Sequence, residues 1–348
     1  MIVLTAHSSA AAASRLRMTQ YFPALRAAGL EPNFWSFLGE HDEVDWVTGT
    51  PLVRIRLLLR GMVRLLGLVR LLRGADVVVV HREVLPLGPP VVERLARRGR
   101  RMVWDVDDAV WEHHSSVSWL PRWFRAPAGK YERLCRDADE VWAGSEVLAQ
   151  WCRERNEHVE MVPTVIDVPD ERPVGVRGRV VVWVGTPTTA PFVDAVLPAV
   201  LALEPTPEVV VVGHGSRPEG LDAVEVLRWS EPVEHEVLER GRVGLYPIDR
   251  RHPLADGKCG LKAILYLAHG VVPIVTPTPT NAVIVHDGVH GLHADSEAAW
   301  AAAVDRLLVD DELWERLSVA GHAWVREHYS LATWGPVVAR RLADLAAR

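Results

Sequence analysis

Cysteine and lysine are both scarce in this chain. Its 348 residues include three cysteines, Cys135, Cys152 and Cys259. They form no CxxC pair and no even-numbered framework, which excludes a disulfide scaffold, makes structural zinc improbable and points to a reducing, cytoplasmic setting. No uninterrupted apolar run reaches the roughly 18 residues of a membrane span. The opening MIVLTAHSSAAAASR has no basic segment ahead of its apolar run, so it reads as a first strand and not a signal peptide. Positive charge is not in excess either: the formal net charge of -6 argues against a nucleic-acid partner, because neutralising phosphates takes a basic domain. Of 39 cations only Lys130, Lys258 and Lys262 are lysines, so two lysines close together stand out against an arginine background.

What is present is ordinary for a globular protein, with 49% hydrophobic and 24% charged residues. At about 150 residues per domain the length suggests two domains. Short β-branched runs alternate with helical patterns from end to end, the signature of parallel sheets built from βαβ units. Strands are expected at 2–6, 32–37, 76–81, 101–105, 140–143 and 159–162, and again at 179–184, 208–212, 223–227, 243–247 and 271–276. The division that follows is an N-terminal domain over 1–165, a proline-rich linker over 166–178, a C-terminal domain over 179–330 and a final helix over 331–348 that returns to the first domain. Two doubly wound domains with a cleft between them place a ligand at the carboxyl ends of both sheets.

Several segments carry chemistry. Gly185-Thr186-Pro187-Thr188-Thr189 joins a strand to a helix start, a small-residue turn whose hydroxyls and free N–H groups suit phosphate; an ordinary capped helix would look the same. The run Asp256-Gly-Lys258-Cys-Gly260-Leu261-Lys262 opens another helix and puts two lysines four apart on one face of its first turn, suited to a pyrophosphate or simply to solvent. The acids Asp105, Asp107 and Asp108 close a strand. They can orient a substrate hydroxyl, stabilise developing positive charge, cap a helix or form salt bridges; a haloacid-dehalogenase start is disfavoured by Ala109. Glu112-His113-His114 and Glu234-His235-Glu236 lack a recognised metal spacing. Residues 51–73 hold six arginines and no acid among leucine and valine. On a helical wheel Arg56, Arg60, Arg64, Arg70 and Arg73 share one half, with Leu58, Leu65, Val69 and Leu72 opposite. Such a helix can lie on anionic lipid, or pack on the core with a solvated basic face, and Gly61 and Gly67 would weaken it.

The segment from Gly260-Leu-Lys-Ala-Ile-Leu-Tyr-Leu-Ala-His-Gly through Asn281-Ala-Val-Ile-Val-His-Asp-Gly to Glu327-His-Tyr-Ser330 resembles the donor domain of GT-B glycosyltransferases, above all the large retaining family four. Val212-Gly213-His214-Gly215 and Trp183-Val-Gly-Thr-Pro-Thr-Thr189 resemble its glycine turn and first loop. Ser14-Arg-Leu-Arg17, Asp105-Val-Asp-Asp-Ala-Val-Trp111, Gly144-Ser145-Glu146 and Val162-Pro-Thr-Val-Ile-Asp167 resemble first-domain segments in the same order. The resemblance implies a GT-B fold and a metal-independent, retaining transferase with no tightly bound cofactor. It would take a nucleotide-diphosphate sugar as co-substrate and a small-molecule, lipid-linked or glycan acceptor. It implies a donor site at Gly185, Thr186, Thr188, Thr189, Gly213, Trp229, Asp256, Lys258, Gly260, Leu261 and Lys262. Acceptor or phosphate contacts fall to His7, Ser14, Arg15 and Arg17, and the sugar lies beside Asp107, with Asp105 and Asp108. Where that family carries two glutamates and a further acid, this chain has Gly257, Leu265 and Val283, with Asp256 one residue off register. A silent nucleotide-sugar-binding partner protein and a sugar-nucleotide epimerase or hydrolase are therefore the alternatives. By the same resemblance the enzyme is cytoplasmic, or peripheral at the inner membrane face through 51–73.

Overall fold

The computed structural model describes all residues except 113–124, 126, 128, 174–176, 219 and 253–254. His113, His114 and part of the expected linker lie outside the described residues. The chain divides into two compact units: unit 1 comprises 1–165, 257–259 and 334–348, and unit 2 comprises 166–256 and 260–333.

Unit 1 is built on β1 (Ile2–Thr5), β2 (Asn33–Ser36), β3 (Val77–His81), β4 (Arg101–Val106), β5 (Glu140–Ala143) and β6 (Val159–Met161). Every neighbouring pair is parallel, in the order β2-β1-β3-β4-β5-β6. Unit 2 repeats the plan with β7 (Val180–Val184), β8 (Glu208–Val212), β9 (Val224–Leu227), β10 (Val243–Tyr246), β11 (Val272–Val275) and β12 (Leu292–His293), ordered β12-β11-β10-β7-β8-β9. The valine runs of β3, β7 and β8 are buried almost throughout, as strands covered by helices on both faces must be. Each order reverses once, between β1 and β3 and between β7 and β10. At such a point neighbouring connections leave in opposite directions and open a crevice at the strands' carboxyl ends. Eleven strands fall at the expected places; β12 has two residues and is too short to leave a period.

Two expectations need correction. The described part of 166–178, expected as a linker between domains, is packed into unit 2 itself. Ile166 bridges to Ser330, Arg172 donates to Ser318 and pairs with Glu315, and Arg326 pairs with Asp170 at 2.7 Å. The arginine-rich segment is a single helix over Pro51–Leu72 in spite of its glycines. Gly61 is required there, since a Cβ would sit 2.3 Å from the buried Phe37 ring. Its core stripe is Leu57, Gly61, Leu68 and Leu72, and Val69 faces out at 56% exposure. The outward face is therefore not simply solvated and basic.

Candidate functional site

In unit 1 the carboxyl ends of β1, β3 and β4 gather an ion network. Asp105, the penultimate residue of β4, is fully buried. It accepts from Arg17 Nε at 3.3 Å and from Arg17 Nη2, and is 2.7 Å from His81 Nδ1. Arg17 also donates to the Val162 carbonyl at 2.7 Å, which ties the helix Ala12–Arg17 to the end of β6. Burial opposes the charge on Arg17, yet Asp105 overrides it and raises the guanidinium pKa. His81 Nε2 has no hydrogen-bond partner and lies 3.9 Å from Asp107 Oδ1.

Asp107 is held by the Arg82 fork, with Nη2 at 2.9 Å from Oδ2 and Nε on Oδ1. Burial alone would push its pKa up. The charges of Arg82, His81 and Arg17 outweigh that and hold it well below the usual carboxylate range. Arg82 takes φ 56, the only positive φ outside glycine among the described residues, a conformation that costs energy and recurs at functional sites. Two hydrogen bonds hold it there: its N–H donates to the Asp105 carbonyl at 2.8 Å, and its carbonyl accepts from Trp104 Nε1 at 2.7 Å. Asp108 pairs with Lys258 at 2.9 Å, and the Cys259 thiol donates to the Asp107 carbonyl at 3.0 Å. Burial raises the Cys259 pKa, so this thiol is no nucleophile.

Three corrections follow. Arg17, expected among the acceptor or phosphate contacts, is 2% exposed and spends its guanidinium on Asp105 and the Val162 carbonyl. Asp105, expected beside the sugar, is fully buried behind Arg17 and His81. Lys258 is not on the first turn of the expected helix and does not share a face with Lys262. That helix spans Leu261–Ala268 behind Gly260, whose φ of 68 and a hypothetical Cβ only 2.1 Å from Ile284 both demand glycine.

His7 follows β1 and has its Nδ1 3.0 Å from Glu43 Oε2, while the Ser8 N–H donates to Oε1 of the same carboxylate. Burial raises the Glu43 pKa, but His7 and the Ser8 N–H bring it below normal. Ser14 is buried and donates to the His7 carbonyl at 3.1 Å. Arg15 lies on the same short helix. Sequence reasoning passed over Glu43, His81 and Arg82. His81 left a signal as the polar end of a valine strand. Glu43 left none, because only the fold brings it to His7.

Unit 2 presents a different surface at its own switch point. Lys262 Nζ lies 4.4 Å from the Trp183 ring centroid, 5.5 Å from that of Tyr246 and 3.2 Å from Thr189 Oγ1, so it sits at the ends of β7 and β10. Gly185 leaves the room, since a Cβ there would lie 2.8 Å from that ammonium. Gly213, at φ 78, backs onto the Gly185 carbonyl at a distance that admits no side chain. Thr186 and Thr188 join their hydroxyls at 2.8 Å in the exposed turn that Thr189 closes. Behind Gly260 the first backbone N–H groups of the eight-residue helix, from Leu261 on, have no acceptor within the helix. Tyr266 clamps the two central strands, accepting from the Val184 N–H and donating to the Leu245 carbonyl, both at 3.1 Å. Trp229 is 39% exposed and donates to Glu234 at 2.7 Å. Asp256 lies exposed in a turn. Among the described residues no group of three or more His, Cys, Asp or Glu could hold a metal.

Comparison with known proteins places this geometry. Residues 178–310 match the family described as glycosyl transferases group 1. Sucrose-phosphate synthase from Thermosynechococcus elongatus superposes with a TM-score of 0.76 at 17% identity, covering 99% of both chains. Anabaena HepE, solved in complex with UDP and glucose, gives 0.71 at 12% identity over 99% of both chains. The pneumococcal O-GlcNAc transferase GtfA, solved with UDP and GlcNAc, gives 0.60 at 14% identity, covering 81% of this chain and 60% of that one. No curated protein matches the chain. The shared architecture is GT-B, with two Rossmann-like sheets.

Proposed function

We propose that this chain, a GT-B glycosyltransferase whose residues 178–310 form a group 1 glycosyl transferase domain, moves a sugar from a nucleotide-diphosphate donor to an acceptor held by unit 1, with retention. The single observation that carries the donor assignment is Lys262, set at the β7/β10 switch point beside the Thr189 hydroxyl and on the first turn of the helix that opens behind Gly260. A departing diphosphate gains negative charge as the glycosidic bond breaks. Fixed N–H donors and an ammonium aimed at that charge stabilise the transition state more than the ground state. Gly185 and Gly213 serve by having no side chain, so the pyrophosphate can approach the backbone. The structural neighbours solved with UDP support a uridine donor.

On unit 1 the Arg82–Asp107 pair borders the sugar and acceptor. Asp107 stays ionised at any working pH because of Arg82, and so offers a hydrogen-bond acceptor without acting as a base. His7, oriented by Glu43, supplies an imidazole at the end of β1. The enzyme needs no resident cofactor on this reading.

A second reading, a silent sugar-nucleotide-binding partner, is favoured by one observation: Asp105, Asp107 and Asp108 are all engaged in ion pairs. One experiment separates the two. Thermal melts with UDP-, GDP-, TDP- and ADP-sugars should show one base stabilising the wild type by about 2.7 kcal/mol at a hundred times its Kd, with the shift reduced in Lys262→Ala. Slow donor hydrolysis without acceptor supports the transferase. Binding with no turnover supports the silent partner, and no shift with any donor overturns the diphosphate site.

A further inference from the structure

Five arginines fall within the span 94–101, Arg94, Arg97, Arg98, Arg100 and Arg101, in a chain whose net charge is -6. The last turn of the helix Val91–Arg97 carries the first two, and a turn through Gly99, at φ 69, brings the others round to the start of β4. With Arg348 they line an open cavity of about 640 Å³, against the acids Asp76 and Asp139 and an apolar wall of Leu345 and Ala346 from the end of the closing helix Leu331–Ala347. That volume is in the range of small-molecule sites. The cavity lies at the amino ends of β3 and β4, where Asp76 precedes one strand and Arg101 opens the other. It is therefore at the opposite edge of the sheet from Asp105 and Asp107, and it shares no residue with the sites described above.

Carboxylates and carbonyls fix these guanidiniums without satisfying them. Arg94 gives its Nε to Asp137 at 2.9 Å, and Arg97 and Arg101 reach the two oxygens of Asp139 at 3.5 and 3.1 Å. Arg100 turns inward and donates to the carbonyls of Leu72, Ala96 and Arg98 at 2.9, 3.2 and 2.8 Å. A guanidinium has five N–H donors, so Arg94, Arg97 and Arg101 keep most of their forks while their positions are set. Arg98 is exposed and pairs with no carboxylate among the described residues. Against the five arginines of 94–101 stand three aspartates, Asp76, Asp137 and Asp139. Guanidiniums gathered around too few carboxylates repel one another, and a multivalent anion relieves that repulsion. Asp139 already shows how the cavity treats an oxyanion: burial opposes its charge, yet the Met102 N–H, Arg101 and Arg97 bring its pKa below normal.

We propose that this cavity is a second anion site, built for a soluble oligophosphate, a chain of at least two phosphates taken up by the forks of Arg94, Arg97, Arg98 and Arg101. Arginine holds phosphate bidentately in this way, and forks that are already fixed lose little freedom on binding. The arginines stand on two elements, with Asp139 between Arg97 and Arg101. A single phosphate would have to displace that carboxylate, whereas a chain reaches arginines on both sides of it. Bound there, the anion ties the helix Val91–Arg97 to the start of β4 and, through Arg348, to the end of the closing helix.

The test is calorimetric titration of the full chain with inorganic pyrophosphate, with orthophosphate as the control that carries the same chemistry on one phosphorus. Pyrophosphate also suits the donor site, so the deciding protein is Lys262→Ala. The expected result is that Lys262→Ala still binds pyrophosphate, more tightly than orthophosphate and less tightly as salt rises, and that hydrogen exchange then slows at 94–101 and 345–348. Adding Arg94→Ala and Arg98→Ala should weaken this binding by about 10-fold or more, while Asp76→Asn, which removes a facing carboxylate, should tighten it. All three positions are exposed, and unchanged thermal melts would show the variants folded. Loss of all pyrophosphate binding in Lys262→Ala overturns the cavity site and leaves the donor site standing. Orthophosphate bound as tightly as pyrophosphate, or slowed exchange confined to unit 2, overturns it as well. If the arginine pair alone removes all pyrophosphate binding, the cavity site holds and the donor site is the one that fails.

Discussion

The two units place the same kind of crevice at the same kind of topological reversal and furnish it in opposite ways. At β1/β3 unit 1 gathers Arg17, Arg82, His81, Asp105 and Asp107 and pairs them with one another. At β7/β10 unit 2 offers Lys262, threonine hydroxyls and helix amides. A site whose charges are already satisfied holds shape. A site built of ammonium, hydroxyl and amide donors suits an anion. Burial drives the difference: Asp105 and Arg17 are sealed from water, so neither could stand alone, whereas Lys262 is half-buried over aromatic rings.

The hardest way to break this contrast is to unbalance the sealed network. Asp105→Asn keeps the shape but removes the charge facing Arg17 and His81, and leaves a buried guanidinium uncompensated. The expected loss is about 3–5 kcal/mol of stability, read as a lower urea midpoint for unit 1 in hydrogen exchange, with unit 2 protected as before. Arg17→Met should cost a similar amount by stranding the carboxylate. A loss under about 1 kcal/mol in both would mean that the network is hydrated and not sealed.

Next in size is the contrast between the two lysines that sequence spacing put together. Lys262→Ala should weaken donor binding by about 10- to 150-fold, the worth of one charge-assisted hydrogen bond of about 1.5–3 kcal/mol. Its stability should change by no more than about 1 kcal/mol, for the loss of its contact over Trp183. Lys258→Ala should do the reverse, leaving donor affinity within a few-fold and loosening unit 1 by up to about 1 kcal/mol through the half-exposed pair with Asp108. Calorimetric titration with the donor found above and urea melts of both variants decide it. Equal losses of affinity would return the lysines to one site.

How far the sequence reveals all this depends on what each feature needs. The sheets are legible because valine runs such as Val77–Val80 and Val209–Val212 can be satisfied only between helices. The Gly185 and Gly213 turns are legible as small residues at strand ends. The lysine register is not, because the helix starts three residues late, where Gly260 alone can take the left-handed turn. Glu43 is invisible for another reason: it meets His7 across 36 positions of sequence. The long helix misleads because a wheel treats every leucine alike. Only packing tells that Leu57 and Leu68 face the core while Leu59 and Leu66 face out.

The subtlest way to sharpen the comparison is acid. In unit 2 His290 is buried with both ring nitrogens unpartnered. Burial, helped by His286, His293 and His328, brings its pKa down to about 4. The unfolded chain therefore takes up that proton first, near pH 6.5. The stability this histidine contributes is complete above pH 6.5 and is lost as pH falls toward 4. Asp107 in unit 1 has the depressed pKa of a paired carboxylate, so its contribution is complete above about pH 4 and is lost only further down. Between pH 6.5 and 4 unit 2 should loosen before unit 1. Hydrogen exchange at pH 7 and pH 5 reads the two units separately, and His290→Gln should flatten the unit 2 response. If His290→Gln leaves that slope as it was, the acid sensitivity resides elsewhere. If unit 1 opens first, the Arg82–Asp107 pair protects less than its geometry implies.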